Sequence, residues 1–233
     1  VPVEIADVAR RSQAEAVYDL LKQDVIRCAL MPGQQVTEEQ LAARYGVGRS
    51  AVRPVLKRLY QEHLIETISR QRYIIAPITI QDAKDLYETR VLLEPAAAQR
   101  AAGRLTPEQV RQLQELAQAS YHLGVEGEVA EFLEANTSLH KIIAGASGNR
   151  VMSEVISLLL DRVERFNHLS HLILNRSDTV RHEHEELVEA LAGGDGERAA
   201  ELMEAHIRSA RSFLIEVMIE SPSVRSVNVV AAG

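Results

Sequence analysis

Residues 35–76 read QVTEEQLAARYGVGRSAVRPVLKRLYQEHLIETISRQRYIIA. Thr37 followed by Glu38, Glu39 and Gln40 is a Thr-x-x-Gln capping box, in which each of the two side chains accepts from the other residue's backbone N–H. It opens a short helix through Arg44, and Gly46 supplies the tight turn that ends it. A further helix is predicted from about Arg49 to Glu62. Leu64 to Ile68 and Tyr73 to Ile75 are β-prone and flank a polar tip, Ser69 to Arg72, which is the pattern of a hairpin. Upstream, residues 12–30 place Ala16, Leu20, Leu21, Val25 and Ile26 near one helical face, and Met31-Pro32-Gly33 stops that helix. Helix, helix, turn, helix, hairpin is the order of a winged helix-turn-helix.

In that arrangement the helix after the turn enters the major groove, and its first turns reach base edges. Arg49 and Arg53 are four residues apart and share a face, with Ser50 beside them. An arginine fork can donate two bonds to a guanine or clamp a phosphate. Val52, Leu56 and Leu59 take the inward face. Lys57, Arg58, Arg70 and Arg72 are candidate phosphate contacts, the last two from the wing. Arginines alone would equally describe a solvated basic helix. The turn glycine, the Arg-Ser start, the helix order and the hairpin together point to double-stranded DNA.

Bulk composition sets the frame. The chain has 233 residues, 46% of them apolar and 25% charged, with no Trp and few aromatics. That balance favours helices. A single cysteine, Cys28, excludes an intrachain disulfide framework and predicts a reducing, cytoplasmic setting. No apolar run approaches a membrane span, and residues 1–20 carry charges where a signal peptide needs an apolar core. The net charge is −7 but unevenly spread: residues 1–76 hold 11 Lys and Arg against 9 Asp and Glu, and the remainder 15 against 24.

Ala76-Pro77-Ile78-Thr79 is the expected seam, giving a first domain over 1–76 and a linker over 77–79. Beyond it the sequence predicts helices only, at about 80–102, 107–123, 128–146, 149–174, 177–192 and 196–220. Breaks fall at Gly103 before Thr106-Pro107, at Gly124 and Gly127, between Gly145 and Gly148, at Asn175 to Ser177, and at Gly193-Gly194-Asp195-Gly196. The fold class is mainly α: a winged helix-turn-helix plus an antiparallel all-α bundle over 80–220. Residues 221–233 are expected as a flexible tail.

Three of the eight histidines occupy telling positions. His140 follows Asn136 by four residues, so both project from one helical face. His184 shares a face with Leu187, Val188 and Leu191, and His206 with Leu202, Met203 and Ala210. Three inward histidines with an oxygen donor suit a divalent metal, though one inward histidine is more often a hydrogen-bonded core residue. Imidazole favours Zn or Ni, and the oxygen ligand also admits Mn. His122, His168, His171 and His182 are read as non-ligands, the last three on solvated or interhelical surfaces. Glu183 and Glu185 flank His184 and are expected to point elsewhere.

Leu41-Ala42, Tyr45-Gly46-Val47-Gly48-Arg49-Ser50-Ala51-Val52-Arg53, Leu56, Leu59 and Leu64-Ile65 resemble the DNA-binding domain of the GntR family of bacterial regulators. Met31-Pro32-Gly33 resembles that family's usual Pro-Gly turn. Gly48 stands where Ser or Thr is common, Pro54 where a helix former is common, and Arg72 and His63 where glycine is common. Residues 80–220 resemble the six-helix FCD domain of the FadR-type branch. The likeness rests on Leu86 to Pro95, Asn136, Leu139-His140, Ala146 to Asn149, His184, Leu187, Ala190-Leu191, Gly194-Asp195 and Ala205-His206-Ile207. It implies a metal bound by Asn136, His140, His184 and His206, with Asn136 replacing the usual Asp, and a carboxylate effector completing the shell. It also implies that Arg90 meets the effector's carboxylate. The competing reading is a surface Arg90–Glu94 ion pair worth about 0.3–0.5 kcal/mol.

Together these readings predict a homodimeric repressor that binds a palindromic operator, responds to a small organic acid and does not engage a membrane. A metal-dependent enzyme on a helical bundle and a pure metal-ion sensor are the alternatives.

Overall fold

The computed structural model describes residues 3–69, 72–125, 127–171 and 173–220, with side chains from residue 13 onward. The expected tail at 221–233 and the wing-tip residue Arg70 lie outside the described residues. The chain divides into two compact units, one running through Ile78 and the other starting at Thr79.

The first unit contains α1 (Val3–Ile26), β1 (Gln35–Thr37), α2 (Glu38–Tyr45), α3 (Arg49–Gln61), β2 (Ile65–Ser69) and β3 (Arg72–Ile75). The capping box at α2 forms as read: Gln40 N donates to Thr37 Oγ1 at 3.2 Å, and Thr37 N to Gln40 Oε1 at 2.9 Å. Gly46 closes α2 at φ 65°, a left-handed conformation that only glycine adopts without strain. Val52, Val55, Leu56 and Leu59 of α3 pack with Val17, Tyr18, Leu21 and Val25 of α1 and with Leu64, Ile65 and Ile75 of the hairpin.

Three details depart from expectation. The helix predicted over 12–30 is α1, which ends at Ile26; its buried residues are Val17, Tyr18, Leu21, Val25 and Ile26, while Ala16 is exposed and Leu20 is 53% exposed. Val17, Leu21 and Val25 recur every four residues, with Tyr18 three before Leu21, which keeps the stripe on the core side; Ala16 and Leu20, one residue before Val17 and Leu21, fall about a quarter-turn away. The hairpin gains a third strand, in the order β1-β3-β2, all antiparallel. Gly33 N donates to Ile75 O at 2.8 Å and Ile75 N to Gln34 O at 2.9 Å, so a three-residue segment is held by its partner rather than by its own pattern. Pro54 is the sixth residue of α3, past the first turn, and removes the backbone bond that position would give Ser50.

Among its described residues the second unit has helices as its only regular elements: α4 (Ile80–Ala101), α5 (Pro107–Ala117), α6 (Glu128–Ala146), α7 (Arg150–His171), α8 (Ser177–Ala192) and α9 (Gly196–Glu220). α4 packs along α9, α6 against α7, α8 against α9, and α5 against α6 and α8. Gly196 permits the start of α9 to press on α4; a Cβ there would fall 2.7 Å from the Gln99 carbonyl oxygen. α5 stops at Ala117 instead of running to residue 123. Tyr121, 2% exposed, instead anchors the following loop: its hydroxyl donates to Leu174 O at 2.9 Å and lies 2.8 Å from His171 Nδ1. Among the described residues, no helix is long and apolar enough to cross a membrane.

Candidate functional site

In the first unit, α3 carries Arg49 and Ser50 exposed on its opening turn and Lys57 exposed two turns later. The Arg53 side chain is 64% exposed, yet it is tethered: its Nη2 lies 2.8 Å from Glu38 Oε2. Arg72 is exposed at the start of β3. Arg58 does not join this face. Its guanidinium lies over the Tyr18 ring at 3.4 Å and pairs with Glu62 at 3.2 Å, tying α3 to α1. Arg58 sits roughly half a turn around α3 from Arg49, which is why it meets the core scaffold.

In the second unit, α6, α8 and α9 bring His140, His184 and His206 together, exposed by 1%, 2% and 3%. One ligating nitrogen from each lies within 4.8 Å of the others. Helical periodicity explains the convergence, because each histidine occupies the apolar stripe of its own helix. His140 Nδ1 is 2.6 Å from Glu94 Oε2, and His206 Nδ1 is 2.7 Å from Glu183 Oε2. Each carboxylate accepts from its ring's Nδ1–H, which turns both Nε2 atoms toward the interior of the cluster. Those two Nε2 atoms face one another at 3.2 Å, while the buried His184 Nε2 has no hydrogen-bond partner. Three imidazoles turned toward one another in a dry interior offer nitrogen lone pairs that one cation can take together. The donor set therefore fits a divalent metal, with the outer carboxylates raising ligand basicity.

The electrostatics agree. Burial pushes His206 down to about 4 and His184 well below the usual imidazole value, so both are neutral near pH 7. Burial alone would raise the Glu94 carboxyl, but Arg90 and His140 hold it well below the usual carboxylate range. Glu183 behaves similarly: burial raises it, and the His206 hydrogen bond leads the contacts that bring it below.

Glu183 corrects the sequence reading, which turned it away from the site. It sits with Val180, His184 and Leu187 at spacing i, i+3, i+4, i+7, and that stripe was the available signal. Glu94 was noticed only as a partner for Arg90. It occupies the stripe of Tyr87, Arg90, Ala97 and Ala101 on α4, and it serves both Arg90 and His140. Glu185 does point away, accepting from Gln118 at 2.9 Å.

Arg90 is 2% exposed and paired with Glu94, so the pair is buried rather than the surface pair considered above. Arg90 lines a small cavity with Tyr87, Asn136, His171, Arg176 and His206. The cavity has about 20 Å³ of free space, close to what one water needs. His168 and His171 are each 5% exposed and belong to this interior, whereas the His122 and His182 side chains are 80% and 74% exposed.

The FCD domain family matches residues 85–209, and the gntR family of bacterial regulatory proteins matches residues 13–75. The chain is 28% identical to the HTH-type transcriptional regulator BphR of Paraburkholderia xenovorans, over 91% of this chain and 89% of that protein. It is 21% identical to the HTH-type transcriptional repressor RspR of Escherichia coli, over 89% of this chain and 91% of that one. Escherichia coli McbR/YncC shares the fold with a TM-score of 0.72 at 21% identity, covering 88% of this chain and 97% of that chain. A GntR regulator from Rhodococcus sp. RHA1 gives 0.69, also at 21% identity, over 88% and 98%. With a winged helix-turn-helix followed by an FCD domain, the chain belongs to the FadR-type branch of the GntR family of bacterial transcriptional regulators.

Proposed function

We propose that this regulator binds a palindromic operator as a homodimer, acts as a repressor, and is switched by a small carboxylate acting at a metal held by His140, His184, His206 and Asn136. The observation that carries the reading is the convergence of three buried imidazoles, two of them backed by carboxylates and the third with an unpartnered Nε2. A bound metal would supply Lewis acidity toward an anionic ligand. Asn136 lines the same cavity as His206 and offers a neutral amide oxygen, which leaves an ion more positive than an Asp would.

Arg49, Ser50, Arg53 and Lys57 are the contacts proposed from α3, with Arg72 from the wing; Arg58 is committed to Tyr18 and Glu62. Arg90 faces the cavity but shares its charge with Glu94, so the effector's carboxylate would meet Arg90 together with Arg176. An organic acid is far larger than the free space there, so binding requires the helices around the cavity to part. That opening is the differential interaction by which an effector shifts the population between two states. A second copy finds an apolar face on α7, where Val151, Val155 and Leu158 are 61%, 38% and 49% exposed at i, i+4, i+7 spacing. Repression is proposed by similarity to RspR, which is described as a repressor.

Elemental analysis of protein purified without added metal, beside a His140→Ala variant, tests the centre. About one ion per chain, lost in the variant, is expected. No ion in either protein after Zn, Ni and Mn are added would overturn the metal-assisted reading while leaving the family assignment intact.

A further inference from the structure

Glu38 opens α2 and is 3% exposed. A buried carboxylate without a cation is strongly disfavoured. Arg53, fifteen residues away on α3, supplies the cation. Its Nε donates to Oε1 at 3.0 Å and to Oε2 at 3.2 Å, and its Nη2 donates to Oε2 at 2.8 Å. Tyr73 of β3 adds its hydroxyl to Oε1 at 3.4 Å. The hydrogen bonds from Arg53 hold the Glu38 carboxyl below its ordinary range, so the pair stays ionised. One carboxylate thus links α2, α3 and the wing.

A guanidinium has two edges that make paired bonds, Nε with Nη2 and Nη1 with Nη2. Glu38 takes the first. The second remains on a side chain that is 64% exposed, on the helix face shared with Arg49 and Ser50. We infer that Glu38 is a positioning residue that fixes Arg53 so its Nη1–Nη2 edge reads one guanine in each operator half-site. This rests on α3 being the recognition helix.

Charge separates this role from phosphate binding. A phosphate contact requires net positive charge and releases counterions, whereas a base contact requires direction. The Glu38–Arg53 pair is neutral as a unit, so it adds little to non-specific attraction. Fixing the fork in advance also removes the rotamer entropy that a free arginine would lose on reading a base.

The test uses the full-length wild type, Glu38→Gln and Arg53→Lys, each checked for helical content by circular dichroism. Sequences are selected from a duplex pool with a randomised centre. Affinity for the selected duplex and for a scrambled duplex is then measured across salt concentrations. Glu38→Gln should lose the G·C preference at one position per half-site, with specificity falling about tenfold or more. On scrambled DNA the same variant should bind as well or more tightly, with a steeper salt dependence, because it removes a negative charge. Arg53→Lys should lose the same position, since an ammonium has no fork; if Glu38→Gln fails to fold, Glu38→Asp, which keeps the charge but shortens the arm that holds Arg53, takes its place and should weaken the same preference. An unchanged motif in folded Glu38→Gln, or equal weakening on both duplexes, overturns the positioning role. A wild-type protein that enriches no sequence instead overturns the reading of α3, and the inference with it.

Discussion

At the scale of single residues, two positions carry distinct liabilities. Asn136 lies on α6 one turn before His140 and lines the cavity beside His206. Asn136→Asp would place a full negative charge where the amide contributes only a dipole. Metal affinity should rise by tenfold or more, which competition against a chromogenic chelator measures. Equal or weaker affinity would mean that Asn136 is not a ligand. His63 is different: it adopts φ 58° in the turn between α3 and β2, a region costly to any residue with a Cβ. It is exposed, so its side chain brings little packing in return. His63→Gly should stabilise the first unit by about 0.5–1 kcal/mol, visible as a higher urea midpoint at unchanged slope. A lower midpoint would show that the imidazole makes contacts worth more than the strain.

Among the elements, α3 is held in place by packing despite an imperfect helix. Val52, Val55, Leu56 and Leu59 are at most 3% exposed, which compensates for the backbone bond lost at Pro54. Pro54→Ala restores that bond and relieves the ring's clash with the preceding turn, so the first unit should gain about 1–2 kcal/mol. Thermal melting of the two proteins decides it; an unchanged or lower midpoint would mean that the helix already accommodates the ring. The elements that the sequence announced are those with local punctuation: the capping boxes at Thr37 and Thr106, the Gly46 turn, and the apolar stripes that bury His140, His184 and His206. β1 was not legible, because Gln35–Thr37 becomes a strand only through pairing with β3. The early end of α5 was not legible either, because Tyr121 is anchored by Leu174 and His171 about fifty residues away. In the site, the three converging histidines could be read from periodicity one helix at a time. Their carboxylate partners are set by which helices meet: Glu94 reaches His140 from α4, and Glu183 reaches His206 from α8. Both glutamates lay on apolar stripes, and that conflict between residue type and position was the signal they offered.

Across the whole molecule, acid sensitivity should divide as the histidines do. Only His63 of the eight falls within the first unit, and it is exposed. The second unit buries His171, pushed by burial down to about 3, along with His206 at about 4 and His184 well below its usual value. An unfolded imidazole takes up its proton as the pH falls through about 6.5, whereas these three stay neutral in the native state. The unfolded chain therefore binds more protons, and stability falls with decreasing pH, by up to about 1.4 kcal/mol per pH unit for each such histidine. The window opens near pH 6.5 and extends down through the folded values. Glu94, Glu183 and Glu38 oppose nothing here, since their lowered carboxyls lose stabilisation only below the ordinary carboxylate value of about 4.3. In metal-free protein taken from pH 7 to pH 5, urea unfolding should show the second unit's transition moving to lower denaturant while the first unit's stays nearly fixed. Added metal should steepen the dependence, because protons then compete with the ion for the nitrogens of His140, His184 and His206. His171→Gln should flatten the metal-free slope by about one proton without altering metal content. A second unit equally stable at pH 7 and pH 5 would mean that these imidazoles titrate normally, and the dry setting of His184 and His206 on which metal binding is argued would fall with that result.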